Sequence, residues 1–292
     1  MRIAHLSDLH LLPDGVLRMT SLLGRRLFGA VNLVLLRHRV HSTEVVRAAV
    51  DAVAGQDVDH TVITGDLTNL ALDEEFDLAR EVVDQLGGFT ELTVVPGNHD
   101  YYAPDAVRAR RFERWFGHTL WDRGQPQDEW PAIKDLGTVV LVAVRSATSP
   151  PPMCAYGRVG REQGEAAARA VTSARAEGKA AVVLMHHNLH RRGVAAEATG
   201  RLLDRELVSD LLGRSGASLV LHGHDHREHE MVITGPGPGP GTPVVGCGSS
   251  SVVQSSGLWT GRFNIYDFED GKVGIERWRY QGREKRFTAQ RA

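Results

Sequence analysis

Short apolar segments alternate with helical segments along the first three quarters of the chain. Six apolar segments are rich in Val, Ile, Leu or Ala and end at Gly, Pro, Ser, Asn or His, which is typical of strands covered on both faces. They are Arg2–Leu6, His60–Thr64, Leu92–Val95, Val139–Val144, Ala180–Met185 and Ser218–Leu221. Because a helix that joins two parallel strands makes a right-handed crossover, this order predicts an α/β fold with parallel strands.

Four helices are expected between these strands. One has apolar side chains at helical spacing from Phe76 to Leu86, with Asp73 as its candidate N-cap and Gly87 as its stop signal. The other three are predicted over Glu44–Val53, Glu162–Ala176 and Leu202–Leu212. Gly213 follows the last of them and is interpreted as its end.

The last quarter of the chain, at about 230–280, has the pattern of antiparallel strands. These strands are expected over Glu230–Thr234, Pro243–Gly246, Arg262–Asp267 and Val273–Trp278. Glu269–Lys272 contains the Asp-Gly pair of a hairpin turn, and the Gly/Pro alternation of Gly235–Gly241 predicts a loop. We therefore expect residues 1–292 to form a single domain with two sheets packed face to face.

Composition excludes several classes of protein. The chain has 292 residues, 42% of them hydrophobic, and a net charge of −2, which gives no reason to expect a nucleic-acid partner. Its two cysteines, Cys154 and Cys247, do not form the pattern of a disulfide framework or a zinc ribbon. Met1 leads directly into a predicted strand, and no apolar stretch reaches the roughly 18 residues of a membrane span. These features predict a cytoplasmic protein.

Polar residues follow directly after five of the predicted strands. In chain order they are Asp8 and His10; Asp66; Asn98, His99 and Asp100; His186 and His187; and His224 and His226. In open α/β sheets, ligand crevices form at the carboxyl ends of the strands. Five distant segments are thus predicted to bring imidazoles, carboxylates and an amide to one rim.

The types of these residues indicate metal chemistry. Nitrogen and oxygen donors without a thiolate suit manganese, iron, zinc or cobalt ions rather than a structural zinc. Seven such donors are too many for one tetrahedral ion, but match two ions that share a bridging carboxylate. Two ions roughly 3.5–4 Å apart can hold a hydroxide and promote in-line displacement at phosphorus. Five other histidines are interpreted as packed or surface residues: His5, His38, His41, His60 and His118.

The ordered set resembles the pattern of the calcineurin-like metallophosphoesterase superfamily. That pattern is Asp-x-His, Gly-Asp, Gly-Asn-His-Asp/Glu, His and Gly-His-x-His, and every element is present between Asp8 and His226. The resemblance implies a four-layer α/β/β/α sandwich with two mixed β-sheets. It also implies a phosphoester hydrolase that depends on two divalent or trivalent metal ions.

The resemblance assigns a role to each residue. Three would hold the first ion: Asp8, His10 and His226. Three would hold the second ion: Asn98, His186 and His224. Asp66 would bridge both, and a hydroxide between the ions would be the nucleophile. His186 is preferred to His187 because it comes first after the strand and matches the family's usual ligand. His99 would protonate the leaving alcohol, and Asp100 would orient His99 or cap the turn.

The segment 15–43 departs most from a minimal member of the superfamily. It contains five arginines and no acidic residue among many apolar residues. It could be a flap whose Arg25 and Arg26 bind a phosphorylated substrate, a segment in peripheral contact with anionic lipid, or a packed helical insert with a solvated basic face.

The chain is similar to small bacterial members grouped with cyclic-nucleotide phosphodiesterases. This similarity favours a phosphodiesterase that acts on a small-molecule phosphoester, with cyclic nucleotides among the candidate substrates. The alternatives are a pyrophosphatase that acts on a nucleotide-linked lipid at the membrane surface, and a phosphomonoesterase. A non-catalytic protein-binding scaffold of the same fold is the alternative of another class, and it predicts gaps in the ligand set.

Overall fold

The computed structural model describes residues 1–13, 40–121, 129–151, 153–235, 241–254 and 259–290. Twelve strands are present in these ranges. They are β1 Arg2–Leu6, β2 His60–Ile63, β3 Glu91–Val94, β4 Ala132–Asp135, β5 Val139–Ala143, β6 Ala180–Leu184, β7 Leu219–His222, β8 Glu228–Ile233, β9 Thr242–Cys247, β10 Arg262–Glu269, β11 Lys272–Gln281 and β12 Arg286–Ala289.

The strands form two mixed sheets of six. Sheet I has the order β12-β11-β10-β1-β2-β3, in which β1, β2 and β3 are parallel and the other neighbours are antiparallel. Sheet II has the order β4-β5-β6-β7-β9-β8, in which the four central strands are parallel and both edge strands are antiparallel. The predicted two mixed sheets are confirmed, and β9 pairs antiparallel with β8, as expected, and also in parallel with β7.

Seven helices are present in the described ranges. They are α1 Thr43–Ala54, α2 Asp73–Gly87, α3 Pro104–Arg108, α4 Arg111–Phe116, α5 Arg161–Ala176, α6 Val194–Gly200 and α7 Arg205–Ser215, with a 3₁₀ turn at Gly117–Thr119. Three short helices, α3, α4 and α6, and the strands β4 and β12 lack a strong apolar period and were not predicted from the sequence.

Alternating side chains of sheet II explain the layered architecture. Along β5, Leu141 belongs to the core shared with sheet I, whereas Val140 and Val142 belong to the core beneath α5 and α7. Because successive side chains of a strand point to opposite faces, a continuously apolar strand needs cover on both sides. On sheet I, α1 and α2 supply cover through Val46 and Phe76. The predicted four-layer α/β/β/α arrangement is confirmed.

Two local predictions, the hairpin turn between β10 and β11 and the N-cap of α2, have different outcomes. Asp270 and Gly271, at φ of 48° and 73°, make the predicted hairpin turn between β10 and β11. The predicted N-cap of α2 is wrong. The buried Glu75 side chain accepts the backbone N–H of Leu72, and Asp73 instead forms an ion pair with Arg111. The carboxylate of Glu75, the third residue of α2, thus satisfies a backbone N–H at the start of the helix without a capping side chain at Leu72.

The predicted bounds of α7 are also wrong. The helix starts at Arg205 rather than Leu202 and continues through Gly213. Its end is set by Gly216, whose φ of 73° is the left-handed conformation that stops a helix. Asp204 precedes the helix because its carboxylate accepts the backbone N–H groups of Val159 and Gly160.

Two predicted features fall largely outside the described residues. Residues 14–39 include Arg25, Arg26 and most of the basic apolar segment, and residues 236–240 include most of the Gly/Pro loop. Among the helices that the structure describes, none is long and apolar enough to cross a membrane.

Candidate metal centre

The seven predicted ligands lie where the strands of both sheets end, and their backbone is unusual. Five have positive φ although none is glycine: Asp8 (53°), His10 (45°), Asp66 (55°), His224 (73°) and His226 (54°). In the described part of the chain, ten non-glycine residues have positive φ, so half of them are at this rim. Each costs of order 1–3 kcal/mol and persists only where its surroundings enforce it. The fold therefore holds these side chains in a fixed arrangement.

The first cluster comprises Asp8, His10, Asp66 and His226. Their potential ligand atoms all lie within 4.8 Å of one another. His226 Nε2 is 3.1 Å from His10 Nε2 and 3.4 Å from Asp8 Oδ1. Two atoms bound at right angles to one ion, each about 2.1 Å from it, are about 3 Å apart. These separations therefore suit ligands of a common ion.

The second cluster is formed by Asn98, His186 and His224. Asn98 Oδ1 is 3.0 Å from His186 Nε2 and 2.9 Å from His224 Nδ1, and the two ring nitrogens are 3.3 Å apart. Asp66 Oδ2 lies 3.4 Å from His186 Nε2 and 3.7 Å from His10 Nε2. Asp66 is thus the residue that both clusters share.

The backbone fixes which ring nitrogen faces each cluster. Three of the imidazoles donate their other N–H to a main-chain carbonyl oxygen: His10 to Thr68 at 3.3 Å, His186 to Thr64 at 2.7 Å and His224 to Gly200 at 2.7 Å. A carbonyl can only accept, so the opposite nitrogen of each neutral ring carries a lone pair directed at the cluster. Lone pairs this close repel one another unless a cation lies between them. Such carbonyl-oriented rings are the usual arrangement of metal-ligating histidine.

Electrostatics favour positive charge at this rim. Burial lowers the pKa of His10 and of His224 well below the usual value, so both rings are neutral. Burial alone would also lower the pKa of His186, but Asp66 raises it to about 9. Burial would raise the pKa of Asp66, yet His186 and His99 hold that pKa well below its ordinary range. A proton on His186 thus takes the role of a cation, and a metal ion that binds there must displace it.

His187 is placed differently from its neighbour. Its Nδ1 is 2.9 Å from Ser146 Oγ, and its Nε2 donates to the carbonyl of Ala155 at 3.0 Å. Burial, with His186 nearby, lowers the pKa of His187 to about 3. Both ring nitrogens are engaged away from the clusters, which leaves His186 as the ring that faces Asn98.

His99 lies at the edge of the first cluster. Its backbone N–H donates to Asp66 Oδ1 at 2.8 Å, so its position is tied to the shared carboxylate. Its ring Nδ1 donates to the carbonyl of Asn69 at 2.7 Å, and the ring centre is 5.0 Å from that of His10. Tyr102 stacks on the same ring at 5.8 Å. These contacts orient the ring, with Nδ1 committed to Asn69.

Asp100 joins the loops that follow β2 and β3. Its buried carboxylate accepts the backbone N–H groups of Leu67 and Thr68 at 3.0 Å and that of Gly97 at 2.8 Å. Of the two roles expected for Asp100, the structure shows these loop contacts, whereas the His99 ring donates to the carbonyl of Asn69. Burial and the nearby Asp66 raise the pKa of Asp100 to about 7.

The sequence interpretation missed a supporting turn and a histidine. After β9, the hydroxyls of Ser249 and Ser251 both donate to the carbonyl oxygen of Asp8 at 2.8 Å. A run of small polar residues after a strand was the available signal.

The interpretation of His41 as a surface residue is wrong, because its ring centre lies 4.6 Å from that of His10 and 5.1 Å from that of His226.

Comparison with known proteins gives a family model and structural neighbours. The model described as calcineurin-like phosphoesterase matches residues 1–228. One similar structure is purple acid phosphatase PPD1 from yellow lupin (Lupinus luteus) seeds, with a TM-score of 0.64, 12% identity, and coverage of 99% of this chain and 52% of that one. Another is a dimetal phosphatase from Danio rerio, with a TM-score of 0.62, 13% identity, and coverage of 95% and 94%.

The two structural matches cover different shares of the known proteins. The chain spans about half the length of the lupin phosphatase and nearly all of the Danio rerio phosphatase. At such low identity both similarities establish the shared fold. No curated protein sequence matches the chain significantly.

Proposed function

The chain belongs to the calcineurin-like phosphoesterase family, and on that premise we propose that it is a phosphodiesterase that works with two metal ions. The observation that carries this proposal is the convergence of imidazole nitrogens and the Asp66 carboxylate within 3–4 Å of one another. Such an arrangement favours a positive charge at its centre.

The proposed ligands follow the two clusters. The first ion is assigned to Asp8, His10 and His226, the second to Asn98, His186 and His224, and Asp66 is assigned to both. Nitrogen and oxygen donors of this kind suit manganese, iron, zinc or cobalt. When bound, two such ions would supply a water of lowered pKa and neutralise negative charge on the phosphoryl oxygens.

His99 is the proposed proton donor to the leaving alcohol. Its Nδ1 donates to the Asn69 carbonyl, so the proton-donor role is assigned to Nε2. The hydrogen bond from the His99 backbone N–H to Asp66 holds His99 beside the shared carboxylate. A positioned imidazole of this type contributes typically 10²–10⁴-fold to a rate.

Aromatic side chains beside two different histidines of the site favour a diester over a monoester. Tyr102 stacks on His99, and Trp259 lies edge-on to His226 with a ring separation of 6.3 Å. Trp259 is 39% exposed, and the guanidinium of Arg227 lies 4.4 Å from its ring centre. A phosphodiester carries two organic groups and one negative charge, so two separate aromatic surfaces can hold both groups. A monoester would leave one of these surfaces unused.

The alternatives have weaker support. The lipid pyrophosphatase depends on the segment 15–43, of which only residues 40–43 are described. The scaffold requires missing ligands, whereas all seven residues are present and lie in two adjoining clusters.

The deciding experiment compares bis-p-nitrophenyl phosphate with p-nitrophenyl phosphate, using chelated protein with and without added Mn²⁺. We expect Mn²⁺-dependent release of nitrophenol, faster from the diester than from the monoester. Asp66→Ala serves as the control variant and should be inactive with a reduced metal content. A faster monoester reaction would overturn the diesterase assignment. Absence of metal-dependent release from either compound would favour the scaffold.

A further inference from the structure

His41 has a backbone position fixed on both sides. The carbonyl of Val40 accepts the N–H of Val253 at 2.9 Å, and the N–H of Ser42 donates to the carbonyl of Ser251 at 2.9 Å. His41 itself forms an antiparallel bridge with Val252. The side chain of Ser42 then caps α1 by accepting the Glu44 N–H at 3.2 Å. The chain therefore carries His41 past the turn after β9 in one defined register.

The Ser251 hydroxyl determines the tautomer of His41. Nδ1 of His41 is 2.7 Å from Ser251 Oγ, and this hydroxyl donates to the carbonyl oxygen of Asp8 at 2.8 Å. A hydroxyl has a single hydrogen, so Ser251 must accept from His41 Nδ1–H. In the neutral ring, Nε2 then keeps its lone pair. The same partner geometry orients the imidazoles of the metal centre, with a hydroxyl here in place of a carbonyl.

The ring lies against the first cluster. A nitrogen of His41 and the ligand nitrogens of His10 and His226 all lie within 4.8 Å of one another. Ligand atoms on opposite sides of one six-coordinate ion, each about 2.1 Å from it, are about 4.2 Å apart. The 4.8 Å limit exceeds this separation by about 0.6 Å, and Asp8 and Asp66 belong to a separate group that also contains His10 and His226. A rotation about the side-chain bonds of His41 would bring its nitrogen to the ion that these residues share. Three imidazoles thus surround one point.

We propose that His41 is an additional ligand of the first metal ion, an inference that rests on the proposed function. The first ion then has five protein ligands, because Asp66 is shared and His41 joins Asp8, His10 and His226. The second ion has four: Asn98, His186, His224 and Asp66. The two metal sites would therefore differ in the number and type of their protein ligands.

This asymmetry has two consequences. Three imidazoles and two carboxylates would leave a six-coordinate first ion a single position for an oxygen from water or substrate, whereas the second ion would have more open positions. A protein site with more ligands also holds its ion through more bonds. The first ion should therefore stay bound during dialysis that removes the second.

Cobalt binding to the chelated protein tests the assignment. Wild type, His41→Ala and His41→Gln are titrated with Co²⁺ while heat of binding and the visible absorption bands are followed. X-ray absorption at one ion per chain counts the coordinated imidazoles. His118→Ala, which removes an exposed histidine on another face, is the matched control. Urea unfolding of each metal-free variant shows whether it is folded.

We expect both His41 variants to bind the first Co²⁺ at least about tenfold more weakly, the lower end of the 10–100-fold loss seen when even indirect partners of ligands are removed. The first ion should show three imidazoles in wild type and two in each variant, while His118→Ala matches wild type. An unchanged affinity and spectrum in folded His41 variants would overturn the assignment and leave the proposed function intact. A wild-type chain that binds no Co²⁺ would overturn both.

Discussion

A single methyl group at Gly97 should disable the metal centre. Gly97 follows β3 and faces the loop that carries Asp66. A Cβ added there would stand 2.8 Å from Asp66 Cγ and closer still to its Oδ1 and backbone N, whereas ordinary contacts begin at 3.4 Å. The carboxyl carbon would have to move by about 0.6 Å, and the oxygen by more, to relieve this overlap.

The displacement is large compared with what metal ligands tolerate. Ligand distances in a working metal site hold to about ±0.2 Å. Asp66 is the carboxylate shared by both clusters, so Gly97→Ala should lose at least one ion. A shift approaching 1 Å at a reacting centre costs about 10²-fold in rate. Overpacking of a tight interior lowers the free energy of unfolding by about 1–3 kcal/mol, so the variant should still fold.

Gly193→Ala is the matched control for Gly97→Ala. Gly193 has a φ of −60°, and an added Cβ would have no atom within 4 Å. Metal content per chain, diester turnover and urea unfolding are measured on wild type and both variants. Gly193→Ala should match wild type in all three measurements. A Gly97→Ala protein with two ions per chain and wild-type turnover would refute the steric argument.

Three further predictions concern acid–base groups and metal binding. His99→Ala should keep both ions but lose about 10²–10⁴-fold in rate on esters with poor leaving groups and far less on p-nitrophenyl esters; equal losses on both would exclude a proton donor. Burial, with Lys134 nearby, lowers the pKa of His60 from 6.5 to about 3. The unfolded state therefore binds the extra proton below about pH 6.5, and this residue should lower the free energy of unfolding by about 2 kcal/mol between pH 7 and 5. Urea unfolding of His60→Gln at both pH values should lack that part of the loss, and an identical loss would show that His60 does not contribute. Finally, Mn²⁺ at about one hundred times its Kd should stabilise the chelated protein by about 2.7 kcal/mol in a thermal unfolding assay, and an unchanged Tm would mean that the folded state has no preferential site.

Much of the fold was predictable because its determinants are local. A run such as Val139–Val144 is apolar on both faces, and this property by itself requires cover on both sides. The Asp270-Gly271 turn is likewise encoded by two adjacent residues. The bounds of α7 were not predictable in this way, because the carboxylate of Asp204 is held by the backbone of Val159 and Gly160, more than forty residues earlier.

The residues of the candidate site can be divided in the same way, into those predictable from the local sequence and those that depend on tertiary contacts. The sequence by itself determined which donors follow the strands, since Asp8, Asp66 and His224 each stand just beyond an apolar run. The sequence already favoured His186 over His187, but only the tertiary structure showed how each ring is oriented and that the His41 ring lies beside those of His10 and His226. The reason is physical. The direction of an imidazole depends on the partner of its second nitrogen, and these partners come from segments far away in the chain.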